Sequence, residues 1–264
     1  MYKIALLGRD ISYTKSPAVH RAIAAALGEV IEFDVCDTPY DRLSIAVARL
    51  LSDYDGFFVT KPYKTEIKRF IDSADFSVNL VRCADKTAYS TDGIGFMRAL
   101  DRNFSDWKSN VNAVLVLGTG GAAHAVVGAL SSAGKRVYVL GRSVVSAAKL
   151  AANHSGAELY TGQTAEMIVN CTPLGTEGED ALYAFCVPPV FKYAYDAVYA
   201  AGALTPFLRR NRNSGAAVAD GTDMLIYQAI EGDRILLNKD FDVQKVYDFA
   251  ARVLIESGDI AGGQ

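Results

Sequence analysis

Residues 115–130 read LVLGTGGAAHAVVGAL, and this stretch restricts the fold more tightly than any other part of the chain. An aliphatic, β-prone run ends at Gly118, and a helical pattern of small and apolar residues begins a few positions later. Gly118, Gly120 and Ala123 fall on the G-x-G-x-x-A positions of a phosphate-binding turn, with Thr119, Gly121 and Ala122 between and beside them. The first glycine permits the tight turn, the second lets backbone approach a pyrophosphate, and free N–H groups at the positive helix end receive the anion. Strand, turn, helix and a second strand, RVYVLG, arrive in the order that a dinucleotide-binding α/β unit requires. An acid at the end of that second strand would bond the ribose 2'-hydroxyl of NAD, but Arg142 and Ser143 stand there instead. A guanidinium beside a hydroxyl suits the 2'-phosphate of NADP, so NADP is favoured and NAD remains possible. The plain alternative is a surface arginine following a turn.

The alternation extends in both directions. Ahead of the glycine turn, strands are expected over 2–8, 30–36 and 55–60 and helices over 17–27, 40–51 and 62–71. Two short strand-like pieces, SVNLVR and TAYST, then precede a helix over 93–100. The polar DRNFSDWKSN marks the expected domain boundary. Behind it, the strands NAVLVLG, RVYVLG, EMIVNC, YAYDAVY and AAVAD alternate with helices over 122–133, 144–152, 205–212 and 224–230, which implies a parallel sheet. The expected organisation is an α/β substrate domain over 1–102 and a Rossmann-type NAD(P)-binding domain over 103–235. A C-terminal segment over 236–264, carrying the helically spaced VQKVYDFAARVLIES, is expected to pack back on the first domain.

Composition narrows the partners. A formal net charge of -3 without any basic block gives no phosphate-tracking stripe, so nucleic acid is not expected and a small soluble substrate is. No apolar run approaches the roughly 20 residues needed to span a bilayer, and MYKIALLGRD reads as a strand rather than a secretory signal. The expected location is the cytoplasm, as a monomer or homodimer. Cys36, Cys83, Cys171 and Cys186 lack C-x-x-C spacing, and His20, His124 and His154 are dispersed, so neither a disulfide framework nor a metal site is expected.

Two segments of the first half invite a functional reading. In DGFFVTKPYKTEI, Pro62 suits the first position of a helix, which places Lys64 in a first turn where a cation is mildly opposed. An ordinary solvated lysine tolerates that cost. In GRDISYTKSPAVH, hydroxyls and free N–H groups converge at a helix start and suit a carboxylate, although Ser16 before Pro17 is also an ordinary cap. Asp92 in YSTDGIGF reads equally as a cap or as a group at a ligand-bearing sheet end.

Taken together and in order, these segments resemble the shikimate dehydrogenase family. GRDISYTKSPAVH is similar to that family's N-terminal substrate motif, FFVTKPYK to its V-T-x-P-x-K segment, and SVNLV with STDGIGF to its V-N and N-T-D-G-x-G segments. LGTGGAA resembles its glycine turn, VNCTPLG its N-x-T-P-x-G loop, YDAVY its D-x-x-Y, and DGTDMLIYQA its G-x-x-M-L-x-x-Q-A segment. The resemblance implies an enzyme that reversibly reduces the ketone of 3-dehydroshikimate with NADPH, on the route to aromatic amino acids. It assigns Lys64 and Asp92 as the catalytic pair. Thr14 and Ser16 would hold the substrate carboxylate with Tyr199, while Thr60, Asn79 and Gln228 would bond the ring hydroxyls. On the cofactor side it implies Asn170, Thr172 and Pro173 as the loop flanking the nicotinamide, with Gly221 and Met224 nearby.

The chain also departs from that pattern. Phe58 replaces the family's asparagine before V-T, so it either points into the core or makes the pocket narrower and more apolar. Leu80 replaces a threonine, Tyr13 a histidine, Thr14 a serine and Ser90 an asparagine, and Ser146 supplies no second cation for the 2'-phosphate. The aromatic-rich segment after Q-A reads IEGDRILLN. These changes leave two alternatives beside shikimate dehydrogenase: a paralogue acting on quinate or a related cyclic hydroxy acid, and a regulator that senses NADP(H) without catalysis.

Overall fold

The structure, a computed structural model, describes residues 1–12, 14–199 and 204–260, and Tyr13 lies outside the described residues. The chain forms two compact units, one of residues 1–95 with 225–264 and the other of residues 96–224.

The first unit opens with β1 (Tyr2–Gly8), α1 (Ser16–Ala26), β2 (Ile31–Asp37), α2 (Leu43–Asp53) and β3 (Gly56–Val59). The short strands β4 (Leu80–Arg82) and β5 (Thr87–Tyr89) follow, and the chain leaves this unit within α3 (Asp92–Asn103). The sheet order is β2-β1-β3-β4-β5, with β1 parallel to β2 and β3 and the last two strands antiparallel. One face is closed by Leu43, Val47, Leu50, Phe57, Tyr63 and Ile67. The other holds Ile4, Leu6, Phe33, Phe58, Leu80 and Leu236. Phe58 is therefore a core residue, 3% exposed, and of the two readings of its place the structure takes the first. It fits because Gly232 has no side chain: a Cβ there would lie 2.3 Å from the Phe58 ring. The same ring packs 4.2 Å from buried His20, whose Nδ1 lies 2.9 Å from both carboxylate oxygens of buried Asp233.

The expected helix over 62–71 does not form. Residues 61–65 are turns, and only Glu66–Arg69 closes into a 3₁₀ turn. Tyr63 explains this: its ring is fully buried, and its hydroxyl donates to the Thr38 carbonyl at 2.6 Å, which holds the segment inward. Lys64 thus stands on a packed turn rather than in a helical first turn.

The second unit carries α4 (Trp107–Asn110), β6 (Ala113–Leu117), α5 (Gly121–Ser132), β7 (Arg136–Leu140), α6 (Val144–Ala152), β8 (Ala157–Leu159) and β9 (Met167–Asn170). It continues through α7 (Ala181–Ala184), β10 (Tyr193–Asp196), α8 (Pro206–Asn213) and β11 (Ala217–Ala219), and ends within α9 (Thr222–Leu237). All pairings in its sheet are parallel, in the order β11-β10-β9-β6-β7-β8. This is the doubly wound order, whose crevice lies beyond the carboxyl ends of the strands at β6. The central strand AVLVL is buried throughout, as a strand covered on both faces must be.

The units change over at Gly95/Phe96 and Met224/Leu225, ahead of the 102/103 and 235/236 positions read from the sequence. The polar stretch over 101–110 is no linker: Phe104 and Trp107 are buried, and the Trp107 indole donates to Asp101 at 2.9 Å. Within the first unit, the last helix, α10 (Val243–Glu256), packs along α1 and is capped by Asp242, which accepts from the Gln244 and Lys245 N–H groups. Among the described residues no helix is long and apolar enough to cross a membrane.

Candidate active site

In the first unit, four of the expected residues meet in one network. Lys64 Nζ donates to Asp92 Oδ2 at 2.5 Å, with the lysine side chain 19% exposed and the aspartate 4%. Asp92 is the first residue of α3, where the helix end favours a carboxylate, and its side chain turns to Lys64 and Asn79. Its second oxygen lies 3.3 Å from Asn79 Nδ2. That amide nitrogen also reaches Gln228 Oε1 at 3.0 Å and Thr91 Oγ1 at 2.8 Å. Thr91, quoted in the STDGIGF segment but given no role there, fastens the cluster. Its N–H donates to Asn79 Oδ1 at 2.7 Å and its hydroxyl to the Gln228 carbonyl at 2.9 Å. Gly95 lets the helices meet here, since a Cβ would lie 2.7 Å from the Gln228 nitrogen. The turn bearing Lys64 is held in turn by the Val78 N–H, which donates to the Lys64 carbonyl at 2.8 Å.

Thr14 and Ser16 stand together at the start of α1, their hydroxyls 3.2 Å apart, and the Thr14 hydroxyl also accepts from the Ser16 N–H. Thr60 follows β3 and packs its methyl where a Cβ on Gly8 would be. The structure therefore brings Lys64, Asp92, Asn79 and Gln228 into one cluster, with Thr14 and Ser16 forming a second pair of this unit. Tyr199 belongs to the second unit and is half-buried.

The second unit holds a cavity of about 700 Å³ at the carboxyl end of its sheet. Gly118, Thr119, Gly120, Arg142, Ser143, Ser146, Thr172 and Pro173 line it, together with Gly141, Cys171, Leu174 and Phe185, which the sequence had not placed at the cofactor. Gly118 has φ +112°, a conformation that side chains resist, and a Cβ would lie 3.1 Å from the Cys171 backbone. Gly120 has no atom within 4 Å of its Cβ position, so a ligand can approach the backbone there. Gly121 and Ala122 begin α5, whose first turn has neither a capping side chain nor an acid, so its N–H groups stay available to an anion. These features fit NADP. Ser143 caps α6, its hydroxyl accepting from the Ser146 N–H and hydroxyl, so the exposed Arg142 is the cation of this lining.

Asn170, expected beside the nicotinamide, is fully buried. Its amide is engaged within the chain: Oδ1 accepts from the Thr172 N–H and hydroxyl, and Nδ2 donates to the Leu174 carbonyl and to Asp196. It supports the loop wall rather than lining the cavity. Gly221 and Met224 also lie outside the lining. Gly221 meets the Ala197 carbonyl, 2.3 Å from a Cβ position, and Met224 is 7% exposed. Among the described residues no cluster of three or more His, Cys, Asp or Glu side chains is placed to hold a metal ion.

The chain is similar to known proteins along most of its length. Residues 6–84 match the family model described as the shikimate dehydrogenase substrate binding domain. Shikimate dehydrogenase (NADP(+)) of Caldicellulosiruptor bescii is 30% identical over 267 residues, covering 89% of each chain. That of Chromobacterium violaceum is 28% identical, covering 96% of this chain and 98% of its own. Among solved structures, shikimate 5-dehydrogenase from Thermus thermophilus in complex with NADP(H) and shikimate superposes with TM-score 0.81 at 29% identity, covering 96% of this chain and all of that one. Shikimate dehydrogenase from Aquifex aeolicus gives 0.83 at 26% identity, with 96% and 97% covered.

Proposed function

Because the chain belongs to the shikimate dehydrogenase family, we propose that it is an NADP-dependent oxidoreductase interconverting 3-dehydroshikimate and shikimate in the cytoplasm. The observation that carries the mechanism is the 2.5 Å pair of Lys64 and Asp92, joined to Asn79 and Gln228. The bound cofactor supplies or accepts the hydride. The Lys64 ammonium gives its proton to the ketone oxygen as it becomes an alkoxide, and its charge stabilises that oxygen while it is anionic. In the oxidative direction the same amine accepts the hydroxyl proton. Asp92 holds the ammonium in position, and Asn79 fixes Asp92 in turn. Thr14 and Ser16 bind the substrate carboxylate, while Thr60, Asn79 and Gln228 bond its ring hydroxyls. A site built of hydrogen-bonding groups rejects analogues that lack a hydroxyl, because their polar partners are left unpaired.

Gly118, Gly120 and the first turn of α5 would hold the pyrophosphate of NADP, and Arg142 its 2'-phosphate. With one cation there and Ser146 beside it, discrimination against NAD is weaker than two cations would give. The test is nicotinamide reduction by purified protein, offering shikimate and quinate, each with NADP and NAD. Shikimate with NADP should give the highest kcat/KM. A higher value with quinate would replace the substrate, and binding of NADP without turnover of either acid would favour the regulator.

A further inference from the structure

We propose that Asp196 is a positioning residue for the nicotinamide-side wall of the cofactor cavity, acting through Asn170. This rests on reading the cavity as the NADP site. Asp196 ends β10 directly opposite Asn170 at the end of β9, and neither is exposed. Its Oδ1 accepts from Asn170 Nδ2 at 2.8 Å and from the Val198 N–H at 3.1 Å, while Oδ2 accepts from the Thr205 hydroxyl at 2.6 Å. Asn170 passes this constraint outward. With its amide nitrogen fixed on Asp196, its oxygen holds Thr172 through two hydrogen bonds, and its nitrogen also holds the Leu174 carbonyl. Thr172 and Leu174 line the cavity, and the Thr172 methyl lies 3.2 Å from where a Cβ on Gly118 would be. One buried carboxyl thereby sets the register between the loop wall and the glycine turn.

A carboxyl in such surroundings is a cost to the fold, since burial pushes it up to about 7 against the three hydrogen bonds that favour its charge. Thr205 alone could cap α8 without it, because the Thr205 hydroxyl already accepts from the Leu208 N–H. The retained acid is explained by what it holds on the cavity side.

The test is the dissociation constant of NADP, and separately of adenosine 2',5'-bisphosphate, for the full-length protein and its Asp196→Ala variant. The bisphosphate carries the adenosine half of the cofactor and lacks the nicotinamide half. Loss of one buried hydrogen-bond anchor should weaken NADP by about tenfold, and leave the bisphosphate within about twofold. Asp196→Asn, whose Oδ1 can still accept from Asn170, should restore NADP binding. If Asp196→Ala does not fold, Asn170→Ala carries the same split. Equal weakening of both ligands would mean general loosening of the unit and would overturn the inference, as would unchanged NADP binding. Failure of the unaltered protein to bind either ligand would instead overturn the reading of the cavity itself.

Discussion

Replacing Asp92 by Asn separates the carboxylate's charge from its shape. The Lys64 ammonium would keep a hydrogen-bonding neighbour of the same size but lose its anionic partner, now at 2.5 Å. A hydrogen bond to a charged group contributes about 1.5–3 kcal/mol, and about 1.4 kcal/mol corresponds to tenfold in rate. If that stabilisation mainly holds the ammonium in line with the reacting oxygen, kcat should fall by roughly 10- to 150-fold. The lysine side chain is 19% exposed and can still reach water, so the lower part of that range is expected. The assay is steady-state oxidation of shikimate with NADP, with both KM values measured. Shikimate KM should move less than kcat, because Asn79 and Gln228 remain hydrogen-bonded to each other. The double variant Lys64→Met/Asp92→Asn should be no slower than Lys64→Met alone, since the aspartate acts through the lysine. A kcat within threefold of the unaltered enzyme, or additive losses in the double variant, would refute the positioning role.

Two further outcomes follow from burial. The Asp196 carboxyl lies above its ordinary 3.8 at about 7 in the folded chain, so the stability linked to it is present below about pH 4 and is lost as pH rises through 7. The melting temperature of Asp196→Asn relative to the unaltered protein should therefore rise between pH 5 and 8. Asp233, also pushed up by burial, is common to both proteins and cancels in that difference, while Asp220, whose charge helps to raise Asp196, belongs to the same titration; a flat or falling difference would contradict the assignment. Gly232→Ala places a methyl 2.3 Å from the ring of buried Phe58 and should destabilise by about 1–3 kcal/mol in denaturant unfolding. Adding Phe58→Leu should recover part of that loss, and a change under about 0.5 kcal/mol for Gly232→Ala would show that the core yields freely.

Local signals in the chain were readable and long-range ones were not. The glycine turn could be located because strand, turn and helix lie within one short stretch, and φ +112° at Gly118 is the conformation that its pattern demands. The helix expected over 62–71 failed because periodicity does not reveal that Tyr63 is anchored to Thr38, far earlier in the chain. β8 escaped notice because three residues, AEL, carry too little pattern. At the candidate site, Lys64 and Asp92 each drew notice locally but were joined as a pair only through family motifs, since a lysine and an aspartate 28 positions apart carry no mark of meeting. Thr91 and Asp196 appeared only as letters of the STDGIGF and YDAVY motifs, without a role, for the same reason: their roles consist of hydrogen bonds to Gln228, Asn170 and Thr205, which only the fold brings close. Phe58 posed a choice between core and pocket that depended on Gly232, on a helix much later in the chain.

The most direct measurement of the central claim is the rate of NADPH formation from shikimate and NADP by the unaltered protein and by Lys64→Ala, with NADP affinity determined for both. The account predicts turnover that falls by about a hundredfold or more in the variant, with NADP affinity retained. Activity of Lys64→Ala within a few-fold of the unaltered protein, or NADP binding without any turnover of shikimate by the unaltered protein, would contradict it.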